Sequence, residues 1–345
     1  MTWPSILHLL RGGPDVRACI VVAPGEVRLT DLPVPEPGPS EVLIRTIASA
    51  ICASDFHTMD HGIPGLSRGD GPWDRIGHES VGTVAYSRSA HFAPGDLVLV
   101  APTPEYGRAF AEYQAVPDRY LIALPPEHDA VRLLMAQQLG TVVYAMKSFL
   151  GARVPEYAVV FGLGPAGLNF VQYLRHLGVA TIVGVDRHSW RLEAAAEMGA
   201  RHTIDVTSVE PVPAIEALTG GHFADLAVEA AGSNITRRQA TQSVGHHGRI
   251  GFFGIPDDTE PDFAFPFSEV FRRAPTIAIA VNAQDEPGLS SFKEAVRLIA
   301  TGTTQADALV SHRFELGEIV AALRAARTPE PGVRKVVVQI ADPPG

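Results

Sequence analysis

Two sets of residues have the types and spacing to do chemistry. The first is Gly162-Leu163-Gly164-Pro165-Ala166-Gly167, with Asp186 lying 19 residues after Gly167. In such a run the first glycine permits a tight turn, the second lets the backbone approach a pyrophosphate, and the third lets a helix pack close to a strand. The helix N-terminus then offers free N–H groups and a partial positive charge to the phosphates. An acid at Asp186 can take both hydroxyls of an adenosine ribose and repels a 2′-phosphate, which favours NAD over NADP. Arg187, directly after it, weakens that preference. The candidate cofactor-binding residues are Gly162, Gly164, Pro165, Ala166, Gly167, Asp186, Arg187 and Arg191. The second set is Cys52-Ala53-Ser54-Asp55-Phe56-His57 together with Gly77-His78-Glu79. A thiolate and an imidazole from separate segments are natural zinc ligands. Asp55 or Glu79 could supply the acceptor that a ligand histidine needs on its other ring nitrogen. Alone, Cys52 would read as a core thiol and His78 as a core histidine; beside a dinucleotide fingerprint they read as a metal pair.

These residues need elements to hold them. Residues 158–161 form a short apolar run, Leu168, Val171, Leu174 and Leu177 recur at helical spacing, and Gly178 ends the helix. A second apolar run, 181–185, finishes on Asp186, so the fingerprint sits in a strand–turn–helix–strand unit. From residue 16 to about 123, short apolar runs alternate with turn residues, which predicts strands at 18–22, 26–31, 41–50, 82–86, 97–100 and 109–116. Many short strands between turns indicate a β-rich, barrel-like domain. Residues 129–148 are apolar and helix-compatible. After Asp186, helices are predicted at 191–198 and 212–218, and strands at 202–205, 225–229, 249–254 and 276–281, the last closing the sheet. The tail reads as helix 289–300, strand 310–314, helix 316–326 and strand 334–340.

A chain of 345 residues suggests about two domains. The formal net charge of −10 argues against a nucleic-acid partner. No apolar run approaches the roughly 18 residues a membrane span needs. The first residues lack a basic start and a small-residue cleavage site, so they read as a loosely held extension and not a signal peptide. Cys19 and Cys52 are the only cysteines, which excludes a disulfide framework and a four-cysteine zinc site and fits a reducing cytoplasm.

The pattern resembles the medium-chain dehydrogenase/reductase family, in its zinc-dependent alcohol and polyol dehydrogenase branch. The resemblance runs from about Val16 to Ile340. It rests on Cys52-x-Ser54-Asp55-x-His57, Gly77-His78-Glu79-x-x-Gly82-x-Val84, Pro94-Gly95-Asp96-x-Val98, Phe110-Ala111-Glu112-Tyr113 and the glycine fingerprint. It implies an α/β fold: a GroES-like β-barrel catalytic domain at 1–146 and 285–345, with a Rossmann doubly wound parallel-sheet domain at 147–284 and the catalytic cleft between them. By position, Cys52 and His78 resemble the zinc ligands and Glu79 the acid beside the metal. Asp55 resembles the partner of the ligand histidine, and Ser54 and His57 a proton relay.

Two departures stand out. The four-cysteine structural-zinc lobe of many relatives is absent, because Val98 runs through 101–105 directly to Phe110, leaving one metal site per subunit. At the third ligand position, where the family places Cys, Asp or Glu, this chain aligns Gln137, a weaker zinc ligand than a carboxylate. Gln137, Glu79 or water would complete the tetrahedron. The implied activity is NAD(H)-linked, zinc-dependent interconversion of a secondary alcohol (a polyol, sugar or similar polar substrate) with its carbonyl. The rivals are a zinc-free NADPH-dependent enoyl or quinone reductase of the same family, and a non-catalytic NAD-binding protein. Segment 62–73 is expected at the cleft mouth, with Trp73 or Phe56 against substrate. A homo-oligomer, dimer or tetramer, is expected through the edge strand at 276–281.

Overall fold

A mostly buried run and an alternating one set the first two strands. β1 (Val16–Ala23) and β2 (Glu26–Leu32) form an antiparallel hairpin. β3 (Glu41–Ala50) is buried along nearly its whole length, as a central strand of mostly β-branched and small residues should be. α1 (Ala53–His61) follows at once, then β4 (Ser80–Ser87), β5 (Leu97–Val100), β6 (Tyr113–Pro117) and β7 (Leu121–Ala123). In this computed structural model residues 15–62, 76–256, 259–328 and 330–342 are described. The N-terminal extension and Trp73 lie outside them, as does segment 62–73 apart from Gly62.

The sequence predicted neither α1 nor the late start of β6. Only Asp55 and Met59 of α1 are buried, so it carries no apolar stripe. Residues 109–112 bond β1 as well: Cys19 N–H donates to Phe110 O at 2.8 Å and Glu112 N–H to Arg17 O at 3.0 Å, while Glu112 O still accepts from Thr46 N–H of β3 at 3.0 Å. The predicted helix at 129–148 divides into α2 (Ala130–Leu134) and α3 (Ala136–Phe149). Where relatives would carry a metal lobe, a stack closes the loop. The Arg119 guanidinium lies 4.6 Å from the Tyr120 ring centre and 5.4 Å from that of Tyr106. Thr103 Oγ1 donates to the Tyr120 hydroxyl at 3.3 Å.

The middle of the chain alternates strand and helix: β8 (Tyr157–Phe161), α4 (Pro165–His176), β9 (Thr181–Asp186), α5 (Ser189–Met198), β10 (His202–Asp205), α6 (Pro211–Leu218), β11 (Ala224–Glu229), α7 (Asn234–Gln242), β12 (Val244–Phe252), α8 (Phe267–Arg273) and β13 (Thr276–Ile279). Its strands make one parallel six-stranded sheet in the order β10-β9-β8-β11-β12-β13. β13 ends that sheet, as expected of the run at 276–281. Helix α7 was not predicted, because its sequence is polar; Ser233 caps it by accepting from Thr236 N–H. Buried Val159, Phe161, Val183, Val185, Ala227 and Ile250 form the core beneath the sheet.

The tail adds α9 (Ser290–Ala300), β14 (Val310–Glu315), α10 (Ile319–Arg327) and β15 (Lys335–Gln339). β14 and β15 complete a seven-stranded sheet, β14-β15-β3-β4-β5-β7, with β6 also on β3. Two compact units result: 1–137, 284–301 and 306–345 in one, 138–283 and 302–305 in the other. The first division falls after Gln137, inside α3, and not at the 146/147 position expected from sequence.

Candidate metal centre and dinucleotide site

Three strand ends converge in the first unit. Ser49 of β3 pairs with Ser80 of β4, and Ala50 pairs with Val337 of β15. Cys52 therefore leaves the end of β3 beside His78 and Glu79, which lead into β4. The Cys52 sulfur, a His78 ring nitrogen and a Glu79 oxygen all lie within 4.8 Å of one another. Ligand atoms on a tetrahedral zinc ion stand roughly 3.5 Å apart, so small side-chain rotations close this set on one ion. A thiolate, an imidazole and a carboxylate are also the donor types zinc prefers.

Asp55 organises the set. Cys52 is the N-cap of α1, and its N–H donates to Asp55 Oδ2 at 2.8 Å. Asp55 Oδ1 lies 3.1 Å from His78 Nδ1 and accepts from Gly77 N–H at 3.2 Å. That last bond needs a glycine: Gly77 has φ +84°, and a Cβ there would stand 2.9 Å from the Phe110 ring. With Nδ1 committed to Asp55, His78 presents Nε2 to the cluster. Ser54 Oγ is 3.3 Å from that Nε2. Burial by itself lowers the His78 pKa, but the Asp55 carboxylate and the Cys52 side chain outweigh it and raise it well above the ordinary value. His57 follows Ser54 by one helical turn and stacks at a tilt on His61, with ring centres 5.1 Å apart. Phe56 is half-buried and packs beneath the Arg327 guanidinium, 5.1 Å from its ring centre.

Gln137 is buried near the start of α3, and its Nε2 donates to His78 O at 3.4 Å. An amide held by its NH2 group keeps its oxygen as the remaining donor atom for a metal. Sequence reasoning missed Lys335. Its ammonium lies 2.7 Å from Glu79 Oε2, and each side chain is only 1% exposed. A lysine heading an apolar strand was the visible signal, but its burial follows only once β15 pairs with β3.

The second unit holds the glycine turn. β8 ends at Phe161, Gly162 takes φ +86°, and α4 begins at Pro165 with Gly164 as its N-cap. A Cβ on Gly167 would come within 1.9 Å of Gly162 O, whereas one on Gly164 would meet nothing within 4 Å. The helix thus sits hard against the turn, and the space over Gly164 is open. Asp186 ends β9, its carboxylate ringed by donors. Leu163 N–H reaches Oδ2 at 2.8 Å, and the N–H groups of Arg187 and His188 reach Oδ1 at 2.8 and 3.0 Å. His188 Nδ1 lies 2.8 Å from Oδ1 and Arg191 Nη1 3.6 Å from Oδ2. Burial alone would raise this carboxyl; the Leu163 amide, the Arg191 charge and His188 hold it below the usual carboxylate range. His188 had not been anticipated as a partner. Pro165 and Ala166 open α4.

Known proteins match along both units. Residues 38–126 match the alcohol dehydrogenase GroES-like domain, and residues 165–301 match the zinc-binding dehydrogenase family. The chain is 28% identical over 342 residues to a sorbitol dehydrogenase of Bacillus subtilis, covering 90% of this chain and 94% of that one. It is 26% identical over 374 residues to an alcohol dehydrogenase of Cupriavidus necator, covering 94% and 98%. The benzyl alcohol dehydrogenase structure from Acinetobacter calcoaceticus superposes with a TM-score of 0.84 at 22% identity, over 95% of this chain and 99% of that one, a likeness of fold.

Proposed function

Because the chain belongs to the medium-chain dehydrogenase/reductase family, in its zinc-dependent alcohol and polyol dehydrogenase branch, we propose that it interconverts a secondary alcohol and its carbonyl with NAD(H). The relatives' activities favour a polyol, sugar or similar small polar substrate. The observation that carries the proposal is the convergence of Cys52, His78 and Glu79 on one point, in a chain that also holds a glycine fingerprint ending on an acid. It favours this reading over a zinc-free reductase.

Cys52 and His78 would hold zinc, with Glu79 or Gln137 in reach of the remaining positions. Bound zinc supplies Lewis acidity that lowers the pKa of an alcohol oxygen, and NAD accepts the hydride. Asp55 fixes the His78 ring by accepting at Nδ1, so Nε2 keeps one orientation. The Ser54 hydroxyl, 3.3 Å from Nε2, is beside the place where a substrate oxygen must sit and would accept its proton while passing its own to His57. His57, one turn along α1, would take the proton that Ser54 releases and deliver it to water. Asp186 receives the adenosine ribose, and its charge favours NAD over NADP. A second copy of the chain is the proposed partner at the β13 edge.

Cys52→Ala tests this. Zinc content should fall to near zero and turnover by about 10³-fold or more, while NAD still binds, since the two sites draw on different units. A zinc-free Cys52→Ala protein with wild-type activity would sink the proposal.

A further inference from the structure

His188 is the N-cap residue of α5, yet its side chain does not cap that helix. The ring turns back to the end of β9 instead, with Nδ1 2.8 Å from Asp186 Oδ1. The His188 side chain is 25% exposed and that of Asp186 4%, so a half-open imidazole lies over a buried acid. A carboxylate only accepts, so Nδ1 carries the hydrogen of this contact, and a further proton goes onto Nε2, on the side of the ring away from Asp186. Arg191 stands on the other carboxylate oxygen, with Nη1 3.6 Å from Oδ2, and its guanidinium lies 4.9 Å from the Trp190 ring centre. The His188 ring centre is 5.6 Å from that of the same Trp190. Few other charges surround the cluster. Arg187 is exposed in the same turn, and Glu193 is exposed further along α5. β10 places Asp205 opposite Asp186, but its carboxylate is taken by the N–H and hydroxyl of Thr207. α4 packs on α5 and has no charged residue over 165–174.

The balance of charge at this point therefore turns on one imidazole. With His188 neutral, Asp186 and Arg191 offset each other. Histidine is the side chain that changes charge near neutral pH, and a proton on it adds a positive charge and a new N–H donor. A ribose hydroxyl donates or accepts equally well and gains little from that change. A 2′-phosphate is an anion that only accepts, and it gains both the charge and the donor. We propose that His188 is a specificity-determining residue that makes the preference for NAD over NADP depend on pH: neutral, it leaves Asp186 to repel a 2′-phosphate, and protonated, it admits one. This rests on the dinucleotide reading above and is independent of the metal.

The experiment titrates the full-length chain calorimetrically with NADH and with NADPH, at one ionic strength, at about pH 8 and at about pH 6. The readout is the ratio of the NADPH to the NADH affinity. The 2′-phosphate itself titrates near about pH 6, so wild type is compared with His188→Asn, in which that contribution is the same. Asparagine suits an N-cap, which protects the start of α5. Between the two pH values the ratio should rise about fivefold more in wild type than in His188→Asn, the effect of one partly exposed charge-assisted contact. His188→Arg makes the charge permanent, so at about pH 8 its ratio should already exceed that of wild type by about fivefold. A histidine that merely holds Asp186 in place predicts the same pH dependence in wild type and His188→Asn, and that result overturns the proposal. If His188→Asn does not fold, an unchanged or lower ratio in His188→Arg at about pH 8 overturns it. A wild-type chain that binds neither cofactor at either pH overturns the dinucleotide reading itself, and the role of His188 falls with it.

Discussion

Asp186 meets so many protein donors that its carboxylate is held in one orientation before any cofactor arrives. Leu163, Arg187 and His188 donate from the backbone, and the His188 ring and Arg191 stand against it. Removing the acid would leave the Arg191 guanidinium and the His188 imidazole without this anion, at the position proposed to meet a 2′-phosphate. Asp186→Ser should therefore raise KM for NAD by roughly 10- to 100-fold, the cost of charge-assisted hydrogen bonds to the ribose, and lower KM for NADP. Steady-state kinetics with both cofactors would check it; an unchanged ratio would remove Asp186 from cofactor selection. At this scale the sequence was informative where type and spacing suffice. Cys52, His78 and Asp186 declared themselves by their neighbours in the chain. Lys335 and His188 did not, because what matters about each is a partner that only folding supplies. Gln137 lay between: its position could be aligned, but its bond to the His78 carbonyl could not.

Elements were legible where burial is periodic. Most strands of the two larger sheets, though not the short β7, and helices with an apolar face such as α4 and α9, followed from apolar runs, alternation or three-residue spacing. The helix that carries Ser54, Asp55 and His57 was not, since it buries little. Its one local cue was Cys52 followed three residues later by Asp55, the spacing of a capping box with a thiol in place of the hydroxyl. At the glycine turn the fit is close enough to predict a sign. Alanine is intrinsically better than glycine in a helix by about 1 kcal/mol. At Gly167, however, a Cβ would stand 1.9 Å from the Gly162 carbonyl oxygen, so α4 must move off the turn. Gly167→Ala should lose about 1–3 kcal/mol of stability and bind NAD more weakly, the reverse of the propensity effect. Chemical denaturation and fluorescence titration would read both; a stabilised variant with normal affinity would show that the turn has room.

For the whole molecule, the open side of the parallel sheet is the feature with consequences for assembly. β13 is its last strand, and Ile279 and Val281 are 73% and 69% exposed. Phe267 and Phe271, on or beside the preceding helix face, are also exposed. An apolar strand whose outer edge has no pairing strand among the described residues invites another copy of itself. Ile279→Arg should convert an oligomer into a smaller species in light scattering, with the circular dichroism spectrum preserved. A wild-type chain that is monomeric at micromolar concentration would refute the edge as a subunit contact. Two-domain organisation was readable from the change of periodicity near the glycine turn, while the division after Gln137 was not, because a continuous helix bridges it.

The Tyr106–Arg119–Tyr120 stack has a consequence for how this protein ages. The loop it fastens owes its shape to rings and a guanidinium, neither of which a chelator or mild oxidant attacks. Its remaining thiol, Cys19, is buried, and that burial pushes its pKa up to about 12. Stripping a metal from the proposed Cys52–His78–Glu79 site should therefore leave this loop folded, and thermal unfolding with and without a chelator would check it.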